Sequence, residues 1–320
     1  MAGFAARSLL LQTTLSAPIS LAGVGLHCGR AVNMTIRPAA PGAGIAFWRS
    51  DLGGANALVP ARWDAVAPSR LCTQIENADG VSVSTIEHVM AALAGCGVHN
   101  ALIEIDAPEV PILDGSSAPF VRAMVAVGLT EQPVPVRALR ILKPVEVREG
   151  AAVARIEPAE TMEISFAIEF DDAAIGNQRL ALNMANGTFV RELMDSRTFC
   201  RRVDVEAMQA AGLALGGSYE NAVVVDGDRV LSPGGLRRER EAVRHKMLDA
   251  MGDLALAGAP ILGRYSGFRA GHALTNAVLR ALFADPTAWR WEELSEARSH
   301  RMPGAGVTLA DCVPHHAALG

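Results

Sequence analysis

Residues 244–254 read RHKMLDAMGDL. As a helix, this stretch stacks His245, Asp249 and Asp253 on one face, because residues four apart lie one turn above each other. Lys246 stands beside them. The other side carries Val243, Met247, Leu248, Met251 and Leu254, an apolar stripe of helical period. The helix is therefore anchored by one face and offers an imidazole and two carboxylates from the other. A His and an Asp one turn apart can hold a divalent cation together. The same spacing also serves a solvated ion pair worth only about 0.2–0.5 kcal/mol.

A second segment, STIEHVMAALAG (84–95), sets Glu87 beside His88 at the start of an apolar helix. Two readings fit it. Ser84-x-x-Glu87 is a capping-box pattern, in which Glu87 only satisfies backbone N–H groups. Alternatively His88 is a metal ligand and Glu87 a base next to the metal, as in the zinc-protease motif. That motif's second His is absent, since position 92 is Ala. A third segment, SGFRAGHALTNAVLRALF (266–283), reads as a loop with Gly267 and Gly271 followed by a helix. His272 sits at the junction, either as a polar surface residue or as a titratable acid or base. Together His88, His245 and Asp249 make three protein ligands, the number that leaves a catalytic zinc site one open position. The five cysteines (Cys28, Cys72, Cys96, Cys200, Cys312) have no C-x-x-C spacing and imply no cysteine-rich structural site.

These segments resemble the UDP-3-O-acyl-N-acetylglucosamine deacetylases, the zinc amidases of lipid A synthesis in Gram-negative bacteria. The likeness begins at GVGLHCG (23–29) and runs through Leu71-Cys72-Thr73 and TIEHVMAALAG. It continues in EIDAPEVPILDGSSAPF (104–120), SRTF (196–199), GLALGGSYENAVVV (212–225), RHKMLDAMGDL and GHALTN (271–276). The order and spacing of so many segments carry the resemblance.

The resemblance implies one catalytic zinc ion, with ferrous iron as an alternative, held by His88, His245 and Asp249. It implies Glu87 as the base that activates water, His272 as the acid for the leaving amine and Asp253 as the partner of His272. Lys246 falls near metal and substrate, and Thr198 supplies a hydroxyl to the oxyanion. Phe199, Arg269, Cys72, Val205 and Val224 are the implied substrate contacts, with Arg269 toward the nucleotide phosphates. Two assignments of proton work fit these residues: Glu87 alone, or Glu87 and His272 in turn. For His272 to act as an acid it must be protonated. The Asp253 carboxylate favours that form and a helix N-terminus opposes it, and the carboxylate is expected to prevail.

The implied fold is α+β: two similar two-layer α/β sandwich domains, residues 1–132 and 137–320, packed face to face through their helices. Each carries a small insert, the second forming an acyl-chain passage near 195–225. There, Val205, Met208, Leu213, Leu215 and the AVVV strand read as ordinary core or as the wall of a fatty-chain groove. The resemblance points to the groove. Cys200, Arg201 and Arg202 depart from the family's glycine and aromatic after Arg-Thr-Phe, and Arg70 replaces a residue often apolar. Both departures bear on acyl length, not on the reaction. The implied reaction removes acetate from UDP-3-O-((R)-3-hydroxyacyl)-N-acetylglucosamine, the committed step of lipid A biosynthesis. A binding-only relative would lack Glu87, a ligand or His272, and all are present. A zinc amidase for another acetylated sugar would not need SRTF and GLALGGSYENAVVV.

Composition agrees. The chain has 320 residues, half of them apolar, and a net charge of −5. No basic run points to nucleic acid or to a polybasic membrane anchor. The apolar start of MAGFAARSLLLQTTLSAPIS is broken at Gln12, Thr13, Thr14 and Ser16, too soon for a signal peptide. No apolar run reaches the roughly 18 residues of a membrane span. Unpaired cysteine usage suits the cytoplasm, and a site completed within one chain suits a monomer acting on a small-molecule substrate. Leu9 to Leu21 reads as one strand, Ala101 to Ile105 as a buried strand, and a helix begins near Ser117 with Pro119 in its first turn. Residues 131–143, with Pro133 and Pro135, read as a linker. His27 either touches substrate or braces its turn; His99, His300, His315 and His316 read as surface or structural.

Overall fold

The computed structural model describes residues 9–69 and 71–312. Arg70, His315 and His316 lie outside these. Six α-helices occur among the described residues: α1 (Glu87–Cys96), α2 (Ala118–Val127), α3 (Thr188–Glu192), α4 (Arg202–Ala210), α5 (Glu241–Ala255) and α6 (His272–Ala284).

The first half is built on a five-stranded sheet in the order 19–24, 31–38, 101–105, 45–49, 58–60. All pairs are antiparallel except 45–49 with 101–105. Alternation decides which way its strands face. Val32, Met34 and Ile36 point inward, as do Ala101, Ile103 and Ile105, and Val89, Met90 and Leu93 of α1 join them in one core. The second half repeats the plan with a seven-stranded sheet. Its central strand 261–268 pairs with 152–158 on one edge and 162–169 on the other. Helix α5 packs on strands 162–169 and 177–183, and α6 on 145–149 and 152–158. The two halves meet where α1 lies against α5, giving sheet, helix, helix, sheet. Each half has a small insert: a three-stranded sheet of 66–67, 74–76 and 82–84 in the first, and strands 199–201, 223–226 and 229–230 with α4 in the second.

Helix α5 explains the closeness of the halves. It is buried almost all round, polar face included, as befits a helix with its own sheet on one side and a second helix on the other. Glycine at 252 is required by this crossing. A Cβ there would stand 2.0 Å from the carbonyl oxygen of Glu87, so only a bare backbone admits α1.

Three local expectations are corrected. Leu9 to Leu21 is not one strand but parts of two, 11–15 and 19–24, separated at Ser16-Ala17-Pro18; Pro18 cannot donate to a ladder. The expected linker at 131–143 consists largely of strands 129–135 and 137–141. Its prolines mislead because strand 129–135 belongs to a two-stranded ribbon with 11–15, whose register shift leaves Pro133 unpaired. Gly267 lies in strand 261–268, not in a loop, with the Phe166 ring where its Cβ would be. No helix of the described residues is long and apolar enough to cross a membrane.

Gly252→Ala is expected to push α1 from α5 and to destabilise the fold by about 1–3 kcal/mol. Denaturant unfolding followed by circular dichroism measures this. An unchanged midpoint would contradict the close-approach argument.

Candidate active site

The α1–α5 crossing brings three ligand-type side chains together. One ligand atom each from His88, His245 and Asp249 lies within 4.8 Å of the others. His245 Nε2 is 3.2 Å and His88 Nε2 3.7 Å from Asp249 Oδ1. His88 comes from the first turn of α1, and His245 and Asp249 from successive turns of α5. Relative exposures of 4%, 3% and 5% respectively rule out the solvated ion pair.

The chemistry of this trio suits a borderline divalent cation. Burial lowers the pKa of His88 to about 3, with His245 adding to the effect, and burial also lowers that of His245. Both imidazoles are therefore neutral and carry a lone pair. Ser196 O lies 3.0 Å from His245 Nδ1; a hydrogen bond from Nδ1–H to this carbonyl leaves Nε2 free to ligate. Burial would raise the Asp249 pKa, but His245, Lys246, His272 and His88 outweigh it and hold the carboxyl well below the usual range. Lys246 Nζ donates to Asp249 Oδ2 at 2.7 Å. The other oxygen, Oδ1, is buried and has no hydrogen-bond partner among the described residues. A buried, charged, unpartnered oxygen facing two imidazole nitrogens is what a cation would satisfy.

Acid–base groups flank the trio. Glu87 does not cap its helix: the N-cap is Ile86 with no side-chain bond, and Ser84 instead donates to Pro108 O. The Glu87 carboxylate is buried, accepts the Thr73 N–H at Oε2 and lies 3.7 Å from His272 Nε2 through Oε1. Burial, reinforced by Asp249 and Asp253 against His272, raises its pKa to about 7. His272 opens α6, and its Nδ1 is 2.9 Å from Asp253 Oδ2. Burial opposes its charge, yet Asp253 and Glu87 prevail and raise its pKa to about 9.

Comparison with known proteins bears on this arrangement. The model of the UDP-3-O-acyl N-acetylglycosamine deacetylase family matches residues 12–284. A Phenylobacterium zucineum (strain HLK1) protein named UDP-3-O-acyl-N-acetylglucosamine deacetylase is 51% identical over 292 residues, covering 90% of this chain and all of its own. Proteins of the same name from Shewanella loihica (strain ATCC BAA-1088 / PV-4) and Shewanella halifaxensis (strain HAW-EB4) are 45% and 44% identical, covering 94% and 88% of this chain and 100% and 92% of their own. The chain belongs to this deacetylase family.

Other family positions are distributed around the centre. Thr198 is half-buried; its N–H donates to Gly115 O and its carbonyl accepts from Val223 N. Its hydroxyl bonds to no other described residue. The Phe199 ring stands edge-on to His245 at 6.3 Å and to Phe170 at 5.4 Å. Cys72 is buried, and burial together with Glu87 pushes its thiol up to about 11, so it faces the site uncharged. Val224 is buried in strand 223–226 and Val205 half-buried on α4. Arg269 is exposed on the turn before α6, 3.8 Å from Glu169, farther out than the acid–base groups. The second insert leaves Val203 and Leu215 exposed. Residues 215 and 216 hydrogen-bond to the carbonyls of His27 and Leu26, so the insert lies against the GVGLHCG turn. His99 proves structural: Thr13 N–H donates to its Nδ1, and burial keeps it neutral with a pKa near 4. His300 lies in an exposed 3₁₀ turn.

Several supports had no individual signal in the sequence. Arg197 and Glu241 form a fully buried bidentate pair that fixes the backbone between Ser196 and Thr198. Glu109 accepts from His27 N, Cys28 N and the Thr85 hydroxyl, tying the turn to the entry of α1. Ser117 donates to His88 O. Partners so far apart in sequence show no spacing pattern.

Asp249→Ala is expected to abolish retention of a divalent cation through gel filtration. Asp253→Asn, one turn along but outside the trio, is expected to keep it. Elemental analysis of both proteins distinguishes the ligand from its neighbour.

Proposed function

We propose that the protein hydrolyses the acetamide of UDP-3-O-((R)-3-hydroxyacyl)-N-acetylglucosamine, releasing acetate and UDP-3-O-acyl-glucosamine, with one zinc or ferrous ion at His88, His245 and Asp249. The observation that carries this is the buried trio, with its unpartnered Asp249 oxygen, beside Glu87 and His272, which lie 3.7 Å apart. Bound there, the cation supplies Lewis acidity, polarising the carbonyl and making water nucleophilic near neutral pH.

The chain's own residues move the protons. Glu87, ionised, takes a proton from the attacking water as the new C–O bond forms. The Thr198 hydroxyl donates to the oxygen that gains charge. Lys246 neutralises part of the charge on Asp249 and is itself kept protonated, since Asp249 outweighs the effect of burial. His272 Nε2–H delivers a proton to the amine nitrogen as the C–N bond breaks, and Asp253 at Nδ1 holds the ring in place. Phe199, Cys72, Val205 and Val224 are assigned to sugar and acyl contacts, the acyl chain running along the second insert. Arg269 is assigned to the phosphates.

The division at 132 and 137, a monomeric state and a cytoplasmic location belong to the same proposal. They are supported by the second sheet's strand at Arg137–Ile141, by a site drawn from one chain, and by five free thiols.

Acetate release from the acylated UDP-sugar is expected from the purified protein. It should fall to background on chelation and return with about one equivalent of zinc, the single-ion stoichiometry of a catalytic site. No release by the folded, metal-loaded protein across several acyl lengths would overturn the proposal. The pH profile follows from the site. A nearby dication lowers both pKa values, so the rise with Glu87 ionisation lies below pH 7 and the fall with His272 deprotonation at or below pH 9. Asp253→Asn removes a carboxylate that stabilises the imidazolium. It is expected to shift the alkaline fall in kcat/KM to lower pH.

A further inference from the structure

The base and the acid belong to different halves of the molecule. Glu87 rides on α1; His272 and its partner Asp253 ride on α6 and α5. Their separation therefore depends on how the halves seat against each other. Thr73 touches both sides. Its backbone N–H donates to Glu87 Oε2 at 3.0 Å, and its hydroxyl donates to Asp253 Oδ1 at 2.5 Å. Asp253 uses its other oxygen, Oδ2, for His272 Nδ1 at 2.9 Å. The connection runs without a break from Glu87 through Thr73 and Asp253 to His272. Thr73, Glu87 and Asp253 are all buried. Water is a poor substitute for these bonds, and loss of one leaves a buried carboxylate oxygen unpaired.

We propose that Thr73 is a positioning residue for the amide hydrolysis, registering the base on one half against the acid pair on the other. It touches no reacting atom. It sets Glu87 through its N–H and fixes the Asp253 carboxylate, hence the His272 ring, through its hydroxyl. A threonine suits the task because one residue offers a backbone and a side-chain donor pointing to different acceptors. This assignment rests on the deacetylase reading, and the test separates the two.

Thr73→Val keeps shape and N–H and removes only the hydroxyl. It is expected to lower kcat by about 10–100-fold, the usual cost of losing a supporting hydrogen bond around a metal centre. KM and bound zinc should change little. Thr73→Ser, which retains the hydroxyl, is expected to recover most of the rate. In a double-mutant cycle, Thr73→Val added to Asp253→Asn should cost almost nothing more, because the valine acts through Asp253. A readout independent of turnover is the hydrogen-bonded Nδ1 proton of His272 in the NMR spectrum, assigned by its loss in His272→Gln. It should shift or broaden in Thr73→Val and return in Thr73→Ser.

Wild-type kcat in Thr73→Val, fully multiplicative losses in the cycle, no rescue by serine, or an unmoved His272 proton would each overturn the inference. If the valine protein does not fold, Thr73→Ala takes its place in the same cycle. A wild-type protein that releases no acetate condemns the deacetylase reading, while the NMR comparison still decides whether Thr73 orients His272.

Discussion

The approach of α1 to α5 is the constraint on which the rest of the molecule depends. Two helices from separate sheets meet at a point where a side chain on one would strike the backbone of the other. Gly252 removes that side chain beneath the Glu87 carbonyl. The polar faces of both helices are thereby brought together and closed off from water. His88 then lies beside His245 with ring centres 5.0 Å apart, and Asp249 completes the trio. Each flanking element is placed relative to this seam: α6 brings His272, the first insert brings Thr73, and the second insert brings Thr198 and Phe199.

Burial at the seam has an electrostatic cost that the fold meets with fixed partners. An isolated carboxylate in such a place would take up a proton, and an isolated imidazolium would lose one. Glu87 moves in that direction, to about 7. Asp249 goes the other way because the Lys246 ammonium and the His272 imidazolium stand close to its carboxylate. His272 keeps its proton because carboxylates stand close to both of its nitrogens. Two acidic side chains of one small site are thus held in opposite regimes, and an imidazole is poised as donor, by position alone. The Arg197–Glu241 pair works likewise one layer out: each charge is paired, and the pair fixes backbone rather than doing chemistry.

Legibility of this arrangement in the sequence followed the reach of local periodicity. The four-residue steps of His245, Asp249 and Asp253 are a property of any helix, and the structure has that helix. His272 at a helix start and Pro119 in a first turn were readable for the same reason. The GVGLHCG, SRTF and GHALTN segments supplied the rest through family likeness. Periodicity could not say whether the polar face of α5 was wet, because that depends on α1. Ser84-x-x-Glu87 satisfied a capping pattern that the backbone does not form, since Ser84 is spent on a strand contact. The prolines near 133 mimicked a linker because a proline in a ribbon bulge looks the same in sequence as one in a loop. Thr73, Ser196 and Glu109 fall within segments of family likeness, but no local spacing tells their partners, for each acts on a residue brought near by the fold.

One consequence of the seam concerns how the two halves are held. His88 belongs to one of them, and His245 and Asp249 to the other. A cation gripped by all three is therefore also a clasp. Its affinity contains the free energy of keeping the halves docked, and by linkage their docking contains the free energy of the cation. Whatever loosens one loosens the other. In such a molecule a bound metal would be more than a catalyst: it would add its binding free energy to the packing that already holds the interface.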